Sequence, residues 1–142
     1  MRYNLPRMPK PYNQTCPIAQ ALDIVGDRWT LLIVRDLFLG QRRFSDLLAS
    51  SPGIPPKLLS GRLKRLEQHG LIERVIYSEY PLRAEYRLTG EGLTLAPVLE
   101  AILKWGLEHC FPGPEELREA VRQKFASAVS AAPATGIETA AG

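Results

Sequence analysis

Apolar residues recur with a helical period up to Gly70, with a two-residue period through the eighties, and with a helical period again to about residue 129. The first 14 residues are polar and proline-rich, and predict an arm or loop. Thr15 or Cys16 can cap a first helix, with Pro17 in its opening position and Ile18, Leu22 and Val25 on one face. Gly26 ends it, and Asp27 caps a second helix whose stripe is Trp29, Leu32, Ile33 and Leu37, closed by Gly40. Phe44 reads as a hydrophobic staple and Ser45 as the N-cap of a short helix, Asp46 to Ala49. Ser51-Pro52-Gly53 is a tight turn, and a fourth helix runs from Pro55-Pro56 to about His69, stopped by Gly70. Leu71 to Glu79 and Ala84 to Leu88 read as two strands around a turn at Tyr80-Pro81-Leu82-Arg83. Thr89 then caps a long helix to about Cys110, which Pro97 should kink. Phe111 to Pro114 break the chain, and a last helix spans Glu115 to about Val129.

The order is helix, helix, short helix, tight turn, helix, hairpin, long helix. A short helix and a basic helix across a tight turn make a helix-turn-helix, and the hairpin directly behind the second helix is a wing. The predicted fold class is mainly α with a small β-hairpin wing (α+β): a winged helix-turn-helix. Residues 1–14 are the arm, 15–111 the winged domain with its long helix, 112–130 a C-terminal helix, and 131–142 a small-residue-rich, disordered tail. A chain of 142 residues suffices for one domain with a core and is too short for two full ones.

The net charge of +3 says little, but its distribution says more. Residues 1–87 carry 14 basic and 8 acidic side chains, whereas residues 88–142 carry 4 and 7. A polyanion is therefore expected to meet the first part of the molecule. No apolar run approaches a membrane span and no secretory signal is visible, which predicts a cytoplasmic protein without membrane partners. Two cysteines do not make a disulfide framework.

At about 100° per residue, Leu59, Leu63 and Leu66 of the fourth helix face the core. Lys57, Lys64 and Gln68 cluster opposite, flanked by Ser60 and Gly61, while Arg62 and Arg65 fall toward the Leu58 edge. Cations, an amide and a hydroxyl on one helix face suit base edges and phosphates in a major groove, and Gly61 would let the backbone approach closely. All seven of these non-leucine residues are candidate DNA contacts. Arg83 at the hairpin tip and Arg43 before the short helix are candidates for phosphate or minor-groove contact. Arg42 and Arg74, taken singly, read as solvated surface charges.

The chain resembles the HxlR-type helix-turn-helix regulators, relatives of the MarR group. The marks are Cys16-Pro17-Ile18, Gly26-x-x-Trp29, Arg43-Phe44, the helix from Leu59 to Gly70, Pro81-x-Arg83 with Glu85-Tyr86, Leu88-Thr89 and Trp105-Gly106. The resemblance runs from Cys16 to Gly106, about two-thirds of the chain. It implies a sequence-specific double-stranded-DNA-binding repressor, a homodimer with two winged heads, joined through the N-terminal and long C-terminal helices. Leu22, Leu99, Ile102, Leu103 and Trp105 are the interface candidates. The apolar residues of the long helix cover more than one stripe, which independently calls for a second covering surface. One departure is plain: where the family usually carries Ser or Thr after the isoleucine of the turn, this chain has Pro55, so no phosphate role passes to that position.

Some members of that family use the cysteine before Pro-Ile to sense oxidants, quinones or aldehydes. Cys16 opens a helix, where the dipole favours a thiolate. Packing alone explains it equally well. Cys110, at the end of the long helix, reads on its own as a small buried residue, and as a partner for Cys16 across the dimer if that interface forms. Two alternatives stand beside DNA binding: a winged-helix module that binds protein, and a cysteine-based enzyme. Basic residues on the fourth helix disfavour the first. His109 and Cys110 are adjacent on a helix and point about 100° apart, which disfavours the second. No catalytic residue, metal site or cofactor is expected, and a small electrophile or oxidant is the expected signal.

Overall fold

The computed structural model describes residues 15–132. The elements are α1 (Pro17–Val25), α2 (Thr30–Phe38), α3 (Phe44–Ser50), α4 (Pro56–Gln68), β1 (Ile72–Glu79), β2 (Leu82–Leu88), α5 (Gly90–Leu93), α6 (Ala96–His109) and α7 (Glu115–Ala131). The predicted arm, and the tail beyond Ala132, lie outside the described residues. The last helix extends to Ala131, one residue into the predicted tail.

The N-cap position of α2 is Trp29, two residues later than expected, but the Asp27 carboxylate still accepts from the amides of Trp29 (3.0 Å) and Thr30 (2.9 Å) at the helix start. At α3 the cap lies elsewhere. The helix already includes Phe44, and the carboxylate of Asp46 accepts from the amide of Arg43, so Ser45 is not the N-cap. Neither Thr15 nor Cys16 caps α1 through its side chain; Cys16 holds the N-cap position, where its carbonyl accepts from the Gln20 amide (3.0 Å).

The end of α4 sets the wing. Gly70 has φ +72°, its amide donates to Glu67 O (2.9 Å), and the amide of Leu71 donates to Leu66 O (3.0 Å). This paired closure needs a left-handed residue after the helix, which glycine adopts without penalty. Leu66 and Leu71 both enter the core, so the turn is packed as well as bonded. The Thr89 hydroxyl donates to Gly70 O (2.6 Å) and accepts from the amide of Gly92 (3.1 Å). A Cβ on Gly92 would stand 2.0 Å from Leu71 O, so only glycine fits there. The base of the hairpin is thereby fixed to the C-terminus of α4.

β1 and β2 form a two-stranded antiparallel sheet with Ile72 opposite Leu88 and Glu79 opposite Leu82. The turn is Tyr80-Pro81, tighter than expected, so Arg83 lies within β2 opposite Ser78 rather than at the tip. An irregularity between Ile76 and Ser78 leaves Tyr77 without a cross-strand partner.

The long helix predicted after Thr89 is two helices. Proline has no amide proton and its ring crowds the carbonyl four residues earlier. The chain breaks after Leu93 and restarts at Ala96 with Pro97 in the first turn, where no donor is required.

The core joins Ile33, Val34, Leu37 and Phe38 of α2, Leu47 of α3, Leu59, Leu63 and Leu66 of α4, and Leu99 of α6. α7 also belongs to it: Phe125 is buried and meets Phe38 edge-on at 6.0 Å between ring centroids. Arg118 of α7 donates to the carbonyls of Leu107, Phe111 (2.7 Å) and Gly113 (3.1 Å), which occupies acceptors that the end of α6 would leave unpaired.

Candidate nucleic-acid interface

Lys57, Ser60, Lys64 and Gln68 are exposed on the outer face of α4, opposite the buried leucines, as the helical period requires. Gly61 lies among them, and a Cβ there would meet nothing within 4 Å. Nothing in the chain itself therefore demands glycine at this position.

Two predicted contacts turn inward. Arg62 is 8% exposed, and its Nε stands 2.9 Å from Asp27 Oδ2. Arg65 is half-buried and donates through Nη2 to the backbone carbonyl of Asp23. Both positions fall on the Leu58 side of the wheel, where α4 meets the end of α1 and the α1–α2 turn. A long side chain on that edge finds acceptors inside the molecule. Arg62 and Arg65 are thus corrected from groove contacts to ties between the helix and the body that presents it.

A shallow, open cleft lies between the start of α3 and the wing, lined by Arg43, Arg74, Arg83, Tyr77 and Tyr86 among others. The Tyr77 hydroxyl accepts from Arg43 Nε (3.0 Å) and Nη2, and the guanidinium lies 5.7 Å from the tyrosine ring centroid. This contact orients the guanidinium, which is charged at any physiological pH, and its hydrogen bond to Tyr77 pushes the Arg43 pKa further up. Arg83 and Arg74 are exposed along the same cleft. Three arginines on one concave surface suit a phosphate chain. The sequence placed Arg43 and Arg83 here but missed Tyr77 and set Arg74 aside. The alternation of β1 could have revealed Arg74; Tyr77 depends on an irregular register that alternation does not show. Arg87, by contrast, is paired with Glu73 at 2.6 Å.

The interface candidates divide. Leu99 is buried in the chain's own core, and Leu103 packs against that core, because α7 covers this side of α6. Leu99 is corrected to a core residue, and Leu103 to a half-buried one that packs on the core. Ile102 (51% exposed) and Trp105 (60%) remain open, together with Val98 on α6 and Ile18 and Leu22 on α1. Trp105 stacks on His109 at 4.5 Å. Cys16 and Cys110 are both exposed free thiols, so Cys110 is not the buried residue that its composition class suggests. Among the described residues, no group of three His, Cys, Asp or Glu side chains is placed to hold a metal ion. No described helix is long and apolar enough to cross a membrane.

Residues 24–113 match the model of the HxlR-like helix-turn-helix family. The chain belongs to that family. An uncharacterised HTH-type transcriptional regulator of Synechocystis is 46% identical over 91 residues, 64% of this chain and 67% of the relative. Another, from Mycobacterium tuberculosis, is 48% identical over 98 residues, 69% of this chain but only 61% of the relative. Among solved structures, the reduced form of the transcriptional regulator YodB from Bacillus subtilis superposes with a TM-score of 0.59 at 35% identity. That match covers 71% of this chain and all of YodB. The oxidised form of the redox regulator HypR gives a TM-score of 0.63 at 30% identity, covering 68% and 99%. The protein is an HTH-type transcriptional regulator with a winged-helix fold, and redox regulators are among its structural relatives.

Proposed function

We propose that this regulator binds a specific double-stranded DNA operator as a homodimer, represses transcription there, and has no catalytic activity. The observation that carries the reading is the outer face of α4, where Lys57, Ser60, Lys64 and Gln68 stand exposed with no acid among them. α4 enters the major groove and the Arg43–Arg74–Arg83 cleft holds the adjoining phosphate chain. A second copy covers Ile18 and Leu22 of α1 and Val98, Ile102 and Trp105 of α6, and the two heads then read paired half-sites. Repression follows from a dimer lying across its operator and excluding other proteins from it. The site of action is the cytoplasm, beside the DNA that it regulates. The experiment is selection of random duplexes by the purified protein. Enrichment of a palindromic site supports the reading, and failure to enrich any sequence overturns it.

Redox control is the second reading, supported by the exposed Cys16 at the start of α1 and by the likeness to YodB and HypR. The Cys16 thiolate attacks a peroxide oxygen, takes that oxygen as a sulfenic acid and releases water or an alcohol. The Cys110 thiol of the partner chain then displaces the hydroxyl as water and forms a disulfide. Drawing α1 of one chain toward α6 of the other changes the spacing of the heads and hence affinity for paired half-sites. Operator binding after peroxide should fall in the parent and persist in Cys16→Ser. Loss in Cys110→Ser as well would leave Cys16 acting alone, and full binding by a parent with oxidised thiols would end the reading.

A further inference from the structure

We propose that Tyr77 of the wing and Arg43 at the start of α3 form one clamp for a single DNA phosphate, in which the tyrosine holds the guanidinium and donates its own hydroxyl proton to the phosphate. The proposal rests on the reading of the chain as a DNA-binding protein, and adds to it a binding residue and the device that positions its partner.

The hydroxyl carries the argument. A phenol oxygen accepts hydrogen bonds and donates one. The Tyr77 hydroxyl accepts from Arg43 Nε (3.0 Å) and Nη2, which uses its accepting side. Its own proton has no acceptor among the described residues, and Arg43 Nη1 is uncommitted as well. The pair therefore still offers an O–H and an N–H donor on a guanidinium that is already held. No carboxylate oxygen stands within 4.0 Å of the Arg43, Arg74 or Arg83 guanidinium among the described residues, in contrast to Arg87 with Glu73. No acid lines the cleft that holds these three arginines. Hydrogen bonds to an ionised phosphate are shorter and stronger than neutral ones, so an incoming phosphate is the best acceptor for both free donors.

The backbone is arranged to make this contact at the surface. Arg74 and Tyr77 are three residues apart on β1, so regular alternation would set them on opposite faces of the hairpin. The irregularity between Ile76 and Ser78 brings both to the same cleft. Bulges re-aim side chains in this way beside functional sites. The other side of the contact is fixed too. The Tyr86 amide donates to Arg42 O (2.7 Å), which ties β2 to the residue before Arg43, and the Arg43 amide donates to Asp46 Oδ2 (3.3 Å). Tyr77 and its bond to Arg43 are exposed, where a hydrogen bond competes with water and adds little to folding. Its use lies in association: an arginine held in one rotamer beforehand has less freedom to lose when DNA arrives.

The test uses the full chain and duplexes of its selected operator in which one phosphate at a time is replaced by a neutral methylphosphonate. Tyr77→Phe keeps the ring against the guanidinium and removes the hydroxyl, and Arg43→Gln removes the cation. Both should melt like the parent. Tyr77→Phe should lose about threefold to tenfold in affinity, alike on the operator and on an unrelated duplex. The double variant should lose less than the product of the two single losses, since the groups act together. At one phosphate in each half-site, the methylphosphonate should weaken the parent most, Tyr77→Phe less and Arg43→Gln least. A parent that binds no duplex would end the DNA-binding reading and this proposal with it. With a binding parent, the clamp alone would be overturned by parent-like affinity in Tyr77→Phe, by single losses that multiply in the double variant, or by the lack of any such phosphate. A lowered Tm in Tyr77→Phe with a methylphosphonate profile like the parent's would assign the tyrosine to stability and overturn it equally.

Discussion

Arg62→Met separates the two roles that an arginine on α4 could have. In the structure Arg62 faces Asp27, with side-chain exposures of 9% and 11%. Methionine retains the stem's packing and removes the charge. Breaking one side of a buried pair costs about 3–5 kcal/mol, because the remaining charge is stranded. Asp27 is not wholly stranded, since the Trp29 and Thr30 amides and the Thr30 hydroxyl (2.8 Å) still donate to it. The expected loss is therefore about 2–3 kcal/mol. That corresponds to about 10 °C in Tm for a domain of this size. Urea unfolding measures the first quantity and a thermal melt the second. Asp27→Asn combined with Arg62→Met should recover part of the loss, since it removes the stranded charge. Operator affinity, measured well below the Tm, should stay within about threefold of the parent, less than the cost of a lost base contact. A variant as stable as the parent whose operator binding has collapsed would refute the reasoning, and would return Arg62 to the groove.

Gly61→Ala should raise stability by about 0.8–1 kcal/mol, because the new methyl meets nothing, and should weaken operator binding. Unchanged affinity in a competition assay would show that the backbone does not approach the groove. Ile102→Glu should give a folded monomer by sedimentation and circular dichroism, whereas Leu99→Glu, in the core, should unfold the chain; an Ile102→Glu dimer at micromolar concentration would remove α6 from the interface. Burial pushes the Tyr86 pKa above its ordinary 10.0, so its neutral form stabilises the fold fully below that value and the contribution is lost as pH rises through the raised one. In urea unfolding above pH 10, the parent should lose stability relative to Tyr86→Phe, and parallel curves would count against this.

The elements were legible because each has local chemistry at its ends: Pro17 and Asp27 at helix starts, Gly40 and Gly70 at helix stops, and alternation in the hairpin. The misreadings came from tertiary partners. Nothing local to α4 states that Asp23 and Asp27 wait beside Arg65 and Arg62, so these arginines were legible as charges but not as inward ones. The excess apolar surface of α6 was read correctly as needing a cover. Part of that cover is α7, through Phe125, and not a second subunit, which puts Leu99 in the core and half-buries Leu103. The Arg43–Tyr77 contact spans 34 residues and a local irregularity in β1, and no pattern along the chain encodes it.

The central claim is that α4 reads bases while the wing cleft holds phosphates. Its most direct measurement is the salt dependence of binding to the selected operator and to an unrelated duplex, for the parent, Lys64→Ala and Arg83→Ala. Lys64→Ala should lose roughly 1–3 kcal/mol on the operator and little on the unrelated duplex. Arg83→Ala should weaken both alike and lower the slope of log K against log salt by about one. Equal losses on both duplexes for Lys64→Ala, or an operator affinity in either variant indistinguishable from the parent, would contradict the account.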